Sequence, residues 1–391
     1  MSLAASAKWS DQINRAPLVV ALTGFLLVAI LAASHGGGRY VIATAIGLLA
    51  GFGLYHAAFG FTGAWRRMVA EKRGQGLRAQ MILLAVACLF TYPIIAYGPP
   101  FAEWGLRSGA WVLPFGVTAM VGSFLFGAGM QLGGGCGSGT LFTVGGGSTR
   151  MVITLAAFIG GSLIGTWHLP AWRGLPRLDS FSLIKSFGPF VAVLMIVVIT
   201  GLIWIVSRRI EKRVHGSLEA PRQQGGLLSG PWAHSLGIVA LVIVSVATIL
   251  TLGRPWGITS GFALWGAKIA HGLGVDVLSW PYWSGGRARA VEASVFANST
   301  SIMNFGIIFG AMAAAALAGK FAPVWRLSWV EISTAIIGGL LMGYGARLAY
   351  GCNIGAYLGG IVSGSIHGWL WGLFAFAGFT LMLKGRARLG L

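Results

Sequence analysis

The chain has 391 residues, of which 56% are hydrophobic and 9% charged, with 62 glycines, a mean hydropathy of +0.78 and a formal net charge of +19. Such a balance excludes a soluble globular domain. The basic residues lie in short loops beside apolar runs rather than along one soluble face, which argues against nucleic acid as the partner.

Apolar runs long enough to cross a hydrocarbon core of roughly 30 Å recur along the whole chain. They cover 17–34, 40–56, 80–98, 111–131, 150–168, 187–207, 233–252, 299–319, 331–349 and 366–384. The first, preceded by Lys8 and Arg15, has the outline of a signal peptide but reads as an uncleaved helix. Basic clusters at 66–78, 207–222 and 384–391 all fall on one side if the N-terminus is cytoplasmic, and the positive-inside rule then places both termini in the cytoplasm. Residues 208–232 are the long polar segment in the middle and read as a cytoplasmic linker. The expected organisation is an N-terminal extension with an extra transmembrane helix (1–39), a first transmembrane repeat (40–207), that linker, and a second repeat (233–391).

Sliding the chain by 216 positions lays Gly122 on Gly338, Gly127 on Gly343, Gly129 on Gly345, Leu132 on Leu348, Gly135 on Gly351, Cys136 on Cys352 and Gly139 on Gly355. The shared pattern is G-x-G-x5-G-C-x2-G. A weaker correspondence, at an offset of 210, sets 51–57 beside 261–267. Counting spans gives the two repeats opposite orientations in the membrane. The expected fold is therefore an all-α polytopic membrane protein of about ten transmembrane helices, with inverted internal repeats and Gly-rich re-entrant half-helices.

Non-helical backbone survives inside a bilayer only where it is buried in protein or lines an aqueous cavity. The stretches around Cys136 and Cys352 read as re-entrant loops feeding short helices, whose free N–H groups and positive dipole ends favour an anion without a charged side chain. Their thiols can donate weak hydrogen bonds to, or exchange with, a sulfur-bearing solute. Gly135, Gly137, Gly139, Gly351, Asn353 and Gly355 belong to the same loops. Gly122, Gly127 and Gly338 read as helix-packing glycines, and Cys88 as an apolar filler. Polar residues inside or near spans are Lys268, His56, His271, Asn304 and Glu331; Lys268 follows Thr259 in a short segment where it could add positive potential to an anion path, while Glu331 and His271 read as boundary residues. The three cysteines form no CxxC and have no histidine at metal-ligand spacing, so no metal, cofactor or disulfide is expected, and no GxxxxGK[ST] motif for direct ATP drive is present.

At "FGFTGAWRR" (59–67), "FGAGMQLGGGCGSGT" (126–140), "GITSG" (257–261) and "LMGYGARLAYGCNIG" (341–355) the sequence resembles the YeeE/YedE family of sulfur-compound transporters. The resemblance implies an hourglass-shaped fold in the bacterial inner membrane and thiosulfate uptake through transient contacts with cysteine thiols, Cys136 and Cys352 among them. It also implies a soluble sulfur carrier of the TusA type as a cytoplasmic partner, supplied in trans. The family's first motif carries a cysteine where Gly60 stands and an aspartate where Arg67 stands, with Thr62 between them, so a three-thiol relay cannot operate unchanged. Sulfite, an organosulfur anion or a selenium compound stay open as substrates, and a membrane sulfurtransferase or thiol-redox enzyme is the alternative activity.

Overall fold

A computed structural model describes residues 12–388, so Lys8 lies outside the described residues. The fold is almost wholly helical. In chain order it comprises α1 (Arg15–Ala57), α2 (Phe61–Arg66) continued by a π-turn over Arg67–Glu71, α3 (Gln75–Tyr97), α4 (Val117–Gly133), α5 (Gly137–Gly145), α6 (Thr149–Trp172), α7 (Leu183–His215), α8 (His234–Leu252), α9 (Thr259–Gly272), α10 (Gly286–Glu292), α11 (Ser299–Leu317), α12 (Trp329–Leu348), a π-turn over Asn353–Leu358 running into α13 (Gly359–Val362), and α14 (Ile366–Arg388). The only strands among the described residues, Phe115–Gly116 and Arg177–Leu178, pair antiparallel.

Nine helical stretches among the described residues are long and apolar enough to span a membrane, against the ten segments counted in the sequence. The difference lies in α1. Its 43 residues would reach about 65 Å if straight, twice the hydrocarbon thickness. Gly37 breaks it with φ 58° and ψ −153°, a conformation open to glycine because it lacks Cβ. Before the break, the Asn14 backbone N–H donates to Ala316 O and Gly24 lies on Phe309; after it, the Tyr40 hydroxyl donates to Ala297 O, Gly47 packs on Met303 and Gly51 on Ile307. The first arm thus runs antiparallel to α11 and the second runs parallel to it. One helical stretch makes two crossings, at 17–34 and 40–56.

The inverted repeat follows from a similar argument. Gly122 meets the Gly345 carbonyl and Gly129 the Gly338 carbonyl, so α4 and α12, which the 216-residue offset makes equivalent, lie face to face and antiparallel. A two-fold axis relating antiparallel neighbours is perpendicular to both, which for spanning helices puts it in the membrane plane. Equivalent contacts recur around it: Gly127 packs on Ala375 as Gly343 packs on Phe158, and Gly378 on Phe124 as Gly161 on Leu340. Small residues let the backbones approach this closely, the packing role expected of Gly122, Gly127 and Gly338. Leaving aside α7 and the short α10, both halves then share one order: long helix, short helix, two long helices, Gly-Cys loop with a short helix, long helix.

The weaker sequence correspondence takes a different form in the structure. Residues 51–57 end the long helix α1, whereas 261–267 lie within the short helix α9. The positional equivalents are Gly60-Phe61-Thr62 and Gly257-Ile258-Thr259, each leading into a short helix. The mismatch arises because glycine-spaced apolar strings look alike on long and short helices.

The basic clusters at 66–78 and 207–222, and the described part of the tail through Arg386, gather at one end of the bundle. Arg67 pairs with Glu219 (2.8 Å) and Arg73 and Arg78 with Glu211 (3.3 and 2.7 Å), joining the 66–78 loop to the linker, while Arg66 and Arg386 both donate to Gln131.

Candidate functional site

Four short helical segments, two from each half, converge in the interior: α2, α5, α9 and the stretch after Cys352. Cys136 and Cys352 precede their segments with nearly the same backbone, φ −92°, ψ −169° and φ −101°, ψ −170°. Extended backbone at this position lets the cysteine cap the following turn. Cys136 O accepts from the Thr140 N–H and hydroxyl, both at 2.8 Å, and Cys352 O accepts from Ala356 N–H at 2.8 Å. The Cys136 sulfur also accepts from Gly139 N–H and lies 3.4 Å from the Ser138 hydroxyl.

The two loops meet. A Cβ placed on Gly137 would lie 2.9 Å from the Cys352 sulfur and 3.5 Å from Thr259 Cγ2, so the thiol of one repeat nests where the other repeat carries only hydrogen. Gly135 and Gly351 fill equivalent places behind the thiols, where a Cβ would crowd the Thr140 and Ala356 amides respectively. Gly355 lies on the Gly257 backbone, so the PWGIT loop packs on the second cysteine segment. Symmetrically, Phe61 of α2 lies edge-on to Tyr357, their ring centroids 5.9 Å apart. Cys136 and Cys352 are both buried.

Two candidates keep unpaired polar groups. Asn353 is fully buried, and neither its amide nitrogen nor its carbonyl oxygen has a hydrogen-bond partner; the Thr62 hydroxyl is buried and likewise unpartnered. Leaving such groups unpaired costs roughly 1–3 kcal/mol each, which a passing polar solute would offset. Thr259, in contrast, accepts from Arg347 Nη2 at 2.7 Å.

Arg347 is the residue that sequence reasoning missed. Buried in α12 with Nε unpartnered, it forms the floor of a cavity of about 410 Å³ that also presents Arg173, Arg177 and Arg287 and has no carboxylate on its lining. Its signal was a cation five residues before the second cysteine inside an apolar run. Tyr350, on the same wall, adopts φ 64°; its counterpart is Gly134 at φ 84°. A tyrosine in that region carries backbone strain of roughly 1–2 kcal/mol, the kind that persists at functional sites.

Lys268 is not among the converging residues. Its ammonium donates to the carbonyls of Val291 and Ala293, tying down the end of α10. Asn304 donates to Ile258 O and holds the loop before α9, His56 packs between Phe52 and Trp232 beside the linker, and Glu331 completes a capping box with Ser328 at the start of α12. Cys88 does more than fill space: with Tyr92 and Thr91 it donates to the last carbonyls of α13, at Ile361 and Val362. Gly60 precedes α2 on the wall of a second cavity, and nothing lies within 4 Å of where its Cβ would be.

Antiparallel repeats that bring four broken helices to one buried crossing are the architecture of many membrane transporters. The family is equally clear. The Sulphur transport family profile matches residues 56–381, and the chain belongs to that family. It is 30% identical to the thiosulfate transporter TsuA of Spirochaeta thermophila over 297 residues, covering 67% of this chain and 75% of that one. To TsuA of Escherichia coli it is 25% identical over 356 residues, 85% and 90% of the two chains. The probable transporter YedE of Escherichia coli is 32% identical over 157 residues, 39% of this chain, and the match spans 38% of YedE's length.

Proposed function

We propose that the protein takes up a small sulfur oxyanion, thiosulfate in the first instance, through the crossing formed by the two Gly-Cys loops. The observation that carries this reading is the contact between them: the Cys352 sulfur seated on Gly137, with Thr259 and the Arg347 guanidinium leading to it from a cavity rich in arginine. In this reading the end that holds the linker and the basic clusters faces the cytoplasm of a bacterial cell, by the positive-inside rule, together with both termini. The arginine cavity then faces outward and raises the local concentration of a dianion. From Arg347 the anion passes Thr259 to the thiols, where short-helix N–H groups and weak S–H donors replace part of its hydration. Residues 40–207 and 233–391 act as the two repeats around this path, with 1–39 as an additional membrane element and 208–232 as the connection on the inner side. Two relatives named as thiosulfate transporters support the choice of substrate. A TusA-like carrier receiving sulfur at the inner face is part of the proposal.

The test is uptake into proteoliposomes of thiosulfate labelled in its outer sulfur. Saturable accumulation of intact thiosulfate is expected. Label left on protein thiols with release of unlabelled sulfite would instead mean sulfur transfer, and absence of uptake by folded protein would remove thiosulfate as substrate.

A further inference from the structure

The second cavity, at the linker end, has a volume of about 380 Å³, more than ten times the roughly 30 Å³ share of one water. Gly60, Gln80, Arg67, Arg222, His234 and Glu219 lie on its wall. It opens directly below the crossing, since Gly60 leads into α2, whose Thr62 hydroxyl is buried and unpartnered and whose Phe61 touches Tyr357 of the Cys352 segment. The first repeat thus leaves a space where a side chain at position 60 would stand.

Its charges are arranged unusually. Two guanidiniums face the cavity; Arg222 is fixed by donating to Ala57 O at 2.9 Å, and Arg67 donates through Nη2 to the Glu219 carboxylate at 2.8 Å while its Nε donates to the more exposed Glu71 at 3.1 Å, so Glu219 is its counter-anion on the cavity wall. Glu219 comes from the linker, far away in sequence, and its second carboxylate oxygen is buried with no donor. A carboxylate with one oxygen paired and the other desolvated is incompletely stabilised. The linker backbone beneath it is pinned independently. Glu211, fully buried, accepts from the Glu219 N–H at 2.7 Å, from Gly74 N–H at 3.0 Å, and from Arg78 and Arg73. The Glu219 side chain can therefore leave Arg67 by rotamer change, without the linker coming away.

We propose that this cavity is an inner subsite for a divalent sulfur oxyanion, and that Glu219 is the counter-anion that holds Arg67 until the substrate displaces it. The subsite takes its anion class from the transport reading above. Its function is release: an anion leaving the thiols finds two guanidiniums, and the returning carboxylate expels it toward the cytoplasm.

The test uses Gly60→Cys, for which the structure has open space, in inside-out membrane vesicles exposed to a membrane-impermeant maleimide. The three native cysteines are buried, and labelling of the protein without Gly60→Cys measures their contribution, so the difference reports position 60. Sulfate is titrated as the probe against chloride at equal ionic strength. Sulfate should slow labelling saturably. Adding Glu219→Gln should lower the half-protecting concentration roughly fivefold, the scale of a partly exposed ion pair, and Arg67→Gln with Arg222→Gln should abolish protection. No labelling from this face, no effect of sulfate beyond that of chloride, or unchanged protection in the arginine double variant would overturn the subsite. Protection is read without transport, so protection without thiosulfate uptake removes the substrate reading alone, and uptake without protection removes the subsite alone.

Discussion

Replacing Arg347 by glutamine is the most informative single change on the outward route. Glutamine is the residue at the equivalent position of the other repeat, Gln131, so a similar packing environment already accepts it. The change removes the positive charge at the cavity floor and the 2.7 Å bond to Thr259 while leaving a shorter, uncharged polar side chain. A hydrogen bond to a charged group contributes about 1.5–3 kcal/mol, so losing it from a bound dianion should raise the apparent KM for thiosulfate by a factor of roughly 10 to 150. Because Arg173, Arg177 and Arg287 remain at the mouth, long-range attraction should be reduced but not lost. The assay is the initial rate of labelled thiosulfate uptake against concentration, at low and at elevated chloride. A KM within twofold of wild type, with an unchanged response to salt, would refute the assignment of Arg347 to the path.

Gly137→Ala would force a methyl group to 2.9 Å from the Cys352 sulfur, and overpacking of about 1–3 kcal/mol at the crossing should lower uptake at least several-fold, whereas Gly174→Ala, with open space around it, should be silent in the same assay. Glu211→Gln removes the buried negative charge that faces two arginines and turns one of its two accepting oxygens into a donor, so it should destabilise the linker end by about 3–5 kcal/mol, read as a lower melting temperature and faster proteolysis between 208 and 232. Lys268→Met should leave the KM for thiosulfate near wild type and act on thermal stability instead, because the ammonium binds the carbonyls of Val291 and Ala293 rather than the path.

Much of this arrangement was legible in the sequence because it rests on rare residues at a fixed offset. Cys136 and Cys352 marked equivalent loops, and the glycines around them marked places of close approach; in the structure Gly137 leaves room for the Cys352 thiol. The hairpin at Gly37 was readable as two apolar runs separated by glycines, though its merging into one helical stretch was not. Arg347 escaped because its repeat partner is Gln131, so symmetry did not flag it, and because a cation near a glycine motif resembles a boundary residue. Lys268 drew attention by being charged in an apolar segment, yet the carbonyls that hold it come from 291 and 293, a tertiary contact that local pattern does not contain. The strained Tyr350 was hidden for the same reason: only the backbone reveals that it takes the left-handed place of Gly134.

If the two loop thiols form the passage, Cys136→Ser and Cys352→Ser should part from Cys88→Ser in the proteoliposome uptake assay. Cysteine to serine changes little volume, so folding should be retained in all three and checked by melting temperature. The account predicts that initial thiosulfate uptake falls by about tenfold or more in Cys136→Ser and in Cys352→Ser, while Cys88→Ser, whose sulfur lies on the Ile361 carbonyl, stays within a factor of about two. Uptake retained at the wild-type rate in both loop variants would contradict it.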